Sequence, residues 1–282
     1  MIPEGFVVRT PDSLREITRK WRAEGHRTAI VPTMGALHQG HLALVEEAFR
    51  HAGRVAMSIF VNPRQFGRGE DLSRYPRSED RDGRMAAEAG AHLLYAPDAS
   101  TMYAADFATT ITLAGPAQAG LEDSFRPHFF DGVATVVAKL LIPAECDCAM
   151  FGEKDYQQLK VVTQLVRDLD MATRIVPVPT VREADGLAMS SRNAYLTADE
   201  RRIAPHLHAA LLAAAKSIRA GTEPADAAVD ASRRLSGIGF RVDYVGARNA
   251  DSLAPLRSRD EPIRLLAAAR LGNTRLIDNV AV

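Results

Sequence analysis

Short apolar runs alternate with longer segments of helical period through the first two thirds of the chain. The apolar runs are typical of buried strands, and they are TAIVPT from Thr28, RVAMSIFV from Arg54, AHLLYAP from Ala91, CDCAMF from Cys146 and RIVPVPT from Arg174. Between them, apolar residues recur every three or four positions, which is typical of amphipathic helices. Strands separated by helices form βαβ units. The pattern therefore predicts an α/β fold with a doubly wound, mostly parallel sheet.

The pattern changes after about residue 181. Two alanine-rich segments of helical period, from Ala198 and from Pro224, precede FRVDYVGARNA, PIRLLAAARL and TRLIDNV, which resemble strands and have no helix between them. Helices followed by a run of strands indicate an α+β arrangement. We therefore predict an N-terminal domain over residues 1–180 and a smaller α+β C-terminal domain over residues 181–282. FATTITLAG, from Phe107, is a further predicted strand.

The turn VPTMGALHQGH places two histidines, His38 and His41, three positions apart beside Gly40. In open α/β sheets, ligands bind beyond the carboxyl ends of the strands, where the next helix begins. A helix N-terminus attracts anions, an i, i+3 pair places both imidazoles on one side, and glycine lets a ligand approach the backbone. These features favour a phosphate chain as the ligand. A plain polar cap and half of a metal site stay open as alternatives.

Two later clusters add positive charge and hydroxyl groups. FGEKDYQQL follows a strand and opens a helix, so Lys154 provides a cation for oxyanions at a second strand end. GLAMSSRN carries two serines and Arg192, a combination that suits a triphosphate. A solvated lysine and an ordinary capped turn are the simpler interpretations. Neither of the common glycine-rich nucleotide fingerprints is present, so a nucleotide would bind by a different device.

Composition narrows the choice of function. Lys plus Arg equals Asp plus Glu at 35 each, so no overall field favours nucleic acid or a membrane surface. The N-terminus lacks the apolar core of a signal peptide, and the apolar runs fall short of the roughly 18 residues that a membrane span requires. Cys146 and Cys148 are too closely spaced for a good disulfide. We therefore expect a cytoplasmic protein with reduced cysteines that binds neither nucleic acid nor membranes.

Four motifs together resemble one enzyme family, the pantothenate synthetases or pantoate–β-alanine ligases. They are PTMGALHQGH, IFVNPRQF, FGEKDYQQL and PTVREADGLAMSSRN. The resemblance implies a Rossmann-like N-terminal domain, a smaller C-terminal domain that acts as a lid, and a homodimer. It also implies an AMP-forming ligase that uses ATP and Mg²⁺. In that reaction (R)-pantoate attacks ATP to give pantoyl adenylate and pyrophosphate, and β-alanine then displaces AMP to form pantothenate.

The resemblance also implies which residues act in the site. His41 is expected to donate a proton, while His38 and Lys154 act on the phosphates. The residues expected to bind ATP are Met34, Gly35, Ala36, Leu37, His38, Gln39, Gly40, His41, Gly152, Glu153, Lys154, Asp155, Val181, Met189, Ser190, Ser191 and Arg192. The residues expected to bind pantoate or β-alanine are Gln65, Gln158 and Asn62.

Two of the family's expected roles cannot be assigned to residues of this sequence. The family commonly has a histidine where RPHFFDGV places Phe129, with His128 one residue earlier, so that role is not assigned to His128. Asp80 and Asp82 lie where metal ligands would be suitable, but a charged helix start explains them equally well. Mg²⁺ carried on the phosphates needs no protein ligand. The metal ligands therefore stay unknown.

Three other functions remain possible from the sequence. Another nucleotidyl transferase would use the same histidines, but VNPRQF and DYQQL favour an amide-lined acid site. A tRNA-charging enzyme or a fragment of one would need phosphate-neutralising basic surface, which the zero net charge disfavours. A non-catalytic ATP-sensing module would not need Lys154, Arg192 and both histidines. The ligase is the interpretation that uses all of these residues.

Overall fold

The computed structural model describes residues 2–67 and 69–282, and these residues form two compact units. The first unit runs to Leu113 and also includes His128–Gly152 and Val161–Val178. The second unit comprises Ala114–Pro127, Glu153–Lys160 and Pro179–Val282. Each unit has its own sheet and its own hydrophobic core.

The first unit contains a parallel sheet in the order β1-β4-β3-β2-β5-β6. Its strands are β1 Val7–Val8, β2 Thr28–Thr33, β3 Arg54–Ile59, β4 Leu93–Tyr95, β5 Cys148–Gly152 and β6 Arg174–Val178. From β2 the chain adds strands on one side, and with β5 and β6 it adds them on the other. The predicted doubly wound parallel sheet is confirmed, and the strand order reverses between β2 and β5, where ligands bind in such sheets.

Helices lie between these strands along the chain. In chain order up to residue 168 they are α1 Pro11–Ala23, α2 Gln39–His51, α3 Glu79–Glu88, α4 Ala99–Met102, α5 Glu122–Phe125, α6 Phe129–Ala144 and α7 Tyr156–Asp168. Helix α2 packs its buried Val45 and Ala48 into the same core as the strand residues Val31, Val55 and Met150. No helix in the described part of the chain has the length and apolar character that a membrane span requires.

The second unit has the predicted α+β composition. Its later elements are α8 Ala198–Ile203, α9 His206–Arg219, α10 Pro224–Gly237, β7 Arg241–Asn249, β8 Ile263–Leu271 and β9 Thr274–Ala281. The three strands form an antiparallel sheet in the order β7-β8-β9. Leu211, Leu235 and Leu265 are fully buried between the helices and this sheet. The alanines of α9 and α10 let the two helices lie close together in that core.

One predicted strand is wrong. FATTITLAG joins neither sheet: residues 107–114 have no regular secondary structure, and a 3-10 turn follows at Gly115–Gln118. The Ile111 N–H is instead bonded to the Thr135 hydroxyl at 3.0 Å. The alternation of β-branched residues resembles a half-buried strand, but most side chains of the segment are exposed. A strand requires a pairing partner as well as a suitable composition.

Both cysteines are free, buried thiols, as the sequence predicted. Cys146 is 2% exposed and Cys148 is fully buried. Burial raises the pKa of the Cys146 thiol to about 12 and also raises the pKa of Cys148. Because the thiolate is the reactive form, neither group is activated for nucleophilic chemistry.

We therefore expect both thiols to resist alkylation in the native protein. Mass spectrometry after iodoacetamide treatment at neutral pH should show an unlabelled chain, and the same treatment in guanidinium chloride should add two labels. Rapid modification of either thiol under native conditions would contradict the burial that the fold assigns to them.

Candidate functional site

The histidine turn joins the carboxyl end of β2 to the start of α2. Gly35 and Ala36 have φ values of 82° and 51°, so the backbone passes through the left-handed region before the helix. His38 is the N-cap of α2, and its Nδ1 accepts a hydrogen bond from Gly40 N at 3.1 Å. The Nδ1 of His41 accepts from His38 N at 3.3 Å, and the two ring centroids are 4.1 Å apart. The two imidazoles therefore cap the helix reciprocally, side by side.

This arrangement fixes the proton position on each neutral ring. A backbone N–H can only donate, so Nδ1 of His38 and Nδ1 of His41 must be acceptors. The neutral rings then carry their protons on Nε2, on the side away from the helix backbone. Two Nε2–H groups at the positive end of a helix form a donor surface suited to phosphate oxygens.

The other residues of Met34–His41 differ in exposure. Leu37 is a core residue at 1% exposure and Gly35 is buried, and their N–H groups donate to Asp82 Oδ1 and to Thr33 Oγ1 within the protein. Met34, Ala36 and Gly40 are partly buried, and Gln39 is exposed. The structure thus brings the predicted residues of this segment together in one rigid turn whose side-chain chemistry comes from the histidines.

A buried amide pair follows β3 in the same unit. Asn62 is fully buried and precedes the 3-10 turn Pro63–Gln65. Its Nδ2 donates to Gln65 Oε1 at 2.8 Å and to the Gly132 carbonyl at 3.0 Å. Its Oδ1 accepts from Arg64 N at 3.2 Å and from the Tyr103 hydroxyl at 2.8 Å. Burial raises the pKa of Tyr103 to about 12, so this hydroxyl remains a proton donor at neutral pH.

The polarity of this pair follows from its backbone partners. The Gly132 carbonyl can only accept and the Arg64 N–H can only donate, so the Asn62 amide has one possible orientation. Its second N–H must then point at an oxygen, which fixes Oε1 of Gln65 on that side. The Gln65 nitrogen, with its two donors, lies on the opposite side of the carboxamide. The carboxamide of Gln65 is therefore held with its oxygen toward Asn62 and its nitrogen away from it.

In the second unit, strand β9 holds the turn that carries Lys154. Asn279 is 3% exposed and donates both Nδ2 protons, to the carbonyls of Glu153 and Lys154, each at 2.9 Å. Its Oδ1 accepts from Arg264 Nε at 2.7 Å, and Arg264 Nη2 also pairs with Glu153 Oε2 at 3.1 Å. The Arg264 guanidinium lies over the Tyr156 ring at 4.1 Å. The Lys154 backbone is thus fixed while its Nζ lies 3.5 Å from Asp155 Oδ2.

The preceding residue of β9 holds the other predicted nucleotide segment. Asp278 accepts two bonds from Arg182, at 2.7 and 2.9 Å, and lies 3.3 Å from His208 Nδ1. Burial alone would raise the pKa of Asp278, but the hydrogen bonds from His208 and Arg182 outweigh it and lower that pKa. The carboxylate therefore stays charged, and it anchors the chain next to Val181.

Val181 and Met189 lie on facing arms of a short turn. Met189 N donates to the Val181 carbonyl at 3.0 Å, and Arg182 pairs with Ala188 in an isolated bridge. Ser190 then caps the 3-10 turn Ser191–Tyr195 through an Arg192 N–H bond at 3.2 Å. Consecutive residues of one strand, Asp278 and Asn279, therefore hold two segments that are far apart in the sequence.

The two glutamines of DYQQL differ in environment. Gln157 is 3% exposed, and its carboxamide bonds to Glu122 N, to the Pro116 carbonyl and to Asp123 Oδ1 at 2.9 to 3.0 Å. It is a structural residue that ties the segment Ala114–Pro127 to the helix start. Gln158, the predicted pantoate contact, is only partly buried. The structure is therefore compatible with a ligand contact at Gln158.

His128, Asp80 and Asp82, whose roles the sequence leaves open, lie in different environments. His128 has a φ of 70° at the N-cap of α6, and its side chain is 87% exposed, 3.9 Å from Asp131. Asp80 is exposed, whereas Asp82 is buried and accepts two backbone N–H bonds from the histidine turn. Among residues 2–67 and 69–282, no group of three or more His, Cys, Asp and Glu side chains is arranged to hold a metal ion.

Several residues that shape the site were not predicted from the sequence. Tyr103, Asp278 and Asn279 lie in the stretches TMYAAD and LIDNV, which carry no recognisable motif. A buried tyrosine and a polar pair inside an apolar strand are weak signals of a hydrogen-bonding role. Their partners lie 41, 96 and 126 positions away in the chain.

Comparisons with known proteins identify the family to which the chain belongs. A model of the Pantoate-beta-alanine ligase family matches residues 6–281. A pantothenate synthetase from Nitrobacter hamburgensis is 54% identical over 277 residues, which cover 98% of each chain. The crystal structure of pantothenate synthetase from Thermus thermophilus has a TM-score of 0.91 at 45% identity and covers 97% of this chain and 98% of that chain. A pantoate-beta-alanine ligase from Francisella tularensis, complexed with beta-gamma ATP and beta-alanine, has a TM-score of 0.81 at 30% identity, covering 98% and 97%.

Proposed function

Because the chain belongs to the pantoate–β-alanine ligase family, we propose that it joins (R)-pantoate to β-alanine to give pantothenate at the expense of ATP. A pantoate carboxylate oxygen attacks the α-phosphorus, forming pantoyl adenylate and releasing pyrophosphate. The β-alanine amine then attacks the acyl carbon and loses a proton, and AMP leaves with the former carboxylate oxygen. The family match over nearly the full chain is the observation that carries this proposal.

We assign the nucleotide to the segments that the sequence indicated. Met34–His41, Gly152–Asp155, Val181 and Met189–Arg192 are the proposed ATP-binding residues. Phosphoryl transfer depends on positioning and on charge stabilisation more than on covalent work by the protein. The Nε2–H groups of His38 and His41, together with the cations of Lys154 and Arg192, can supply that stabilisation. His41, the expected proton donor, is proposed to act on the leaving pyrophosphate by donating a hydrogen bond from Nε2–H.

We assign the acid to the amide pair and to Gln158. The fixed orientation of Gln65 supports this assignment, because its carboxamide nitrogen can donate to pantoate oxygens without competing as a nucleophile. Asn62 uses both N–H groups and its oxygen on protein groups, so its contribution is to orient Gln65. A neutral amide site binds the acid while leaving the carboxylate reactive.

We also propose that the protein uses Mg²⁺, forms a homodimer and is cytoplasmic, and that its two domains have different roles. The described residues offer no ready protein cage for Mg²⁺, so we expect it to arrive on the ATP phosphates. We assign pantoate binding and most nucleotide contacts to residues 1–180, and a lid, which carries Val181 and Met189–Arg192, to residues 181–282. Sedimentation equilibrium tests the dimer, and trypsin protection that changes with ATP and pantoate tests the lid.

The first test separates the two half-reactions. Pyrophosphate should appear from ATP with pantoate alone, and AMP turnover should require β-alanine. Pantoate labelled with heavy oxygen in its carboxylate should transfer one label to AMP, which mass spectrometry detects. If ATP binds but neither acid nor amine affects its cleavage, the site serves another acceptor and the proposed function is wrong.

Replacing Asn62 by aspartate should raise KM for pantoate about tenfold while KM for ATP changes little. The new carboxylate oxygen would face the Gly132 carbonyl and Gln65 Oε1, so Gln65 must turn and present its oxygen to the acid. Loss of one buried hydrogen bond to a charged ligand is worth about that factor. Steady-state kinetics with each substrate varied in turn measures the difference.

Tyr103→Phe is the graded comparison for this prediction. It removes the hydrogen bond that Asn62 Oδ1 accepts from the Tyr103 hydroxyl, but it leaves both backbone partners that fix the amide orientation. Its effect on KM for pantoate should therefore be about twofold to threefold, well below that of Asn62→Asp. Equal increases in KM for ATP and for pantoate in Asn62→Asp would show that the amide pair has no selective role.

A further inference from the structure

A buried carboxylate lies under the histidine turn. Asp82, near the start of α3, is 1% exposed. Its Oδ2 accepts a hydrogen bond from Ala36 N at 2.8 Å, and its Oδ1 accepts from Leu37 N at 2.9 Å. Both oxygens thus bind consecutive backbone N–H groups of a segment 46 and 45 positions away in the chain. Hydrogen bonds to an ionised acceptor are stronger than those between neutral groups.

The turn needs such a partner because of its backbone. Gly35 and Ala36 have positive φ values, which an alanine adopts rarely. In this conformation the N–H groups of Ala36 and Leu37 both point to the Asp82 carboxylate. A Cβ at Gly35 would lie 3.0 Å from Asp82 Oδ2, so the glycine also gives the carboxylate room to approach.

The anchored residues lead directly into the histidines. Leu37 is fixed by burial as well as by Asp82, and it immediately precedes His38. The His38 N–H in turn sets the ring of His41 through the 3.3 Å bond to Nδ1. A shift of the backbone at residues 36–37 therefore moves both imidazoles together.

We propose that Asp82 is a positioning residue, which holds the backbone of Gly35–Leu37 so that His38 and His41 point their Nε2–H groups at the phosphates of ATP. The proposal rests on the proposed ligase function. It assigns each oxygen of the Asp82 carboxylate to one backbone N–H group of the turn.

The test compares Asp82→Asn with Asp226→Asn. Asparagine keeps one acceptor oxygen but places its amide NH₂ group against the second backbone N–H, so that one of the two hydrogen bonds is lost. Asp226 is also an acid in the first turn of a helix, α10, but it is exposed. In Asp82→Asn we expect kcat/KM for ATP to fall about tenfold and KM for β-alanine to stay within about twofold. Asp226→Asn should behave as the parent.

Binding of a non-hydrolysable ATP analogue, measured by calorimetry below the unfolding temperature, gives a second readout. Its Kd should rise in Asp82→Asn in parallel with the kinetic loss. This readout stands even if the parent protein fails to release pyrophosphate with pantoate, in which case the ligase function is wrong while the anchoring of the turn is still tested. An unchanged Kd with only a lower unfolding temperature would overturn the proposal.

Two further outcomes are decisive. If raised Mg²⁺ restores the activity of Asp82→Asn, the carboxylate acts on the metal and the proposal is wrong. If Asp82→Asn does not fold, Asp82→Glu replaces it, because the carboxylate remains in the chain while the longer side chain moves its oxygens from Ala36 N and Leu37 N. The same selective loss for ATP is then expected, and an equal loss for all three substrates would overturn the proposal.

Discussion

Replacing Lys154 by alanine is expected to lower kcat for pantoate-dependent pyrophosphate release by a factor on the order of 10²–10³. Negative charge grows on the phosphoryl oxygens and on the leaving pyrophosphate as the α-phosphorus is attacked. The Lys154 ammonium is a compact charge on a mobile side chain, but its backbone is held by the two Asn279 bonds. A preorganised cation of this kind stabilises the transition state more than the bound substrate.

Rapid-quench measurement of the first half-reaction at saturating ATP and pantoate gives the relevant rate. Lys154→Arg keeps the charge but replaces a compact ammonium by a planar fork, so it should recover only part of the loss. Lys216→Ala, at an exposed position of α9, is the control for removing one positive charge. A Lys154→Ala enzyme that retains kcat within about threefold, with folding unchanged, would remove Lys154 from the reaction.

The architecture could be predicted because it follows from local patterns. Buried parallel strands leave continuous apolar runs such as TAIVPT, and the helices between them keep a period near 3.6 residues. The same rule fails at FATTITLAG, whose alternation is strand-like but whose backbone has no neighbouring strand in either described sheet. Pairing is a long-range property, and the composition of a short segment does not contain it.

The residues of the candidate site also fall into those that local sequence patterns predict and those that only the fold brings into place. The histidines, Lys154 and Arg192 were recognisable because turn residues and charged groups at strand ends form local motifs. Asp82, Asn62 and Asn279 act on backbone groups many positions away, and sequence spacing does not reveal such contacts. Ser78 illustrates the opposite error: a serine before a helix is typical of a capping residue, and Ser78 lies at the N-cap of α3 but makes no side-chain capping bond. Residue type therefore indicates possible chemistry, while partners depend on the fold.

Replacing Gly132 by alanine is expected to destabilise the protein by about 1–3 kcal/mol and to lower kcat/KM for pantoate by about 10²-fold. A Cβ at this position would lie 2.2 Å from the Arg64 carbonyl oxygen and 2.6 Å from its carbonyl carbon. These are backbone atoms of the Pro63–Gln65 turn, so the whole turn or helix α6 must move by roughly 1 Å. Because the Gly132 carbonyl also orients Asn62, the displacement reaches Gln65.

The sign of the stability change makes this prediction specific. An alanine normally stabilises a helix relative to glycine by about 0.5–1 kcal/mol, and Gly237 in α10 has nothing within 4 Å of an added Cβ. Gly237→Ala should therefore leave the free energy of unfolding in urea unchanged or slightly higher, with unchanged kinetics. Gly132→Ala, the same change in another helix, should lower both the free energy of unfolding and kcat/KM for pantoate. If Gly132→Ala leaves the urea midpoint unchanged or raises it, the turn can move without cost, and close packing of α6 does not set the position of Gln65.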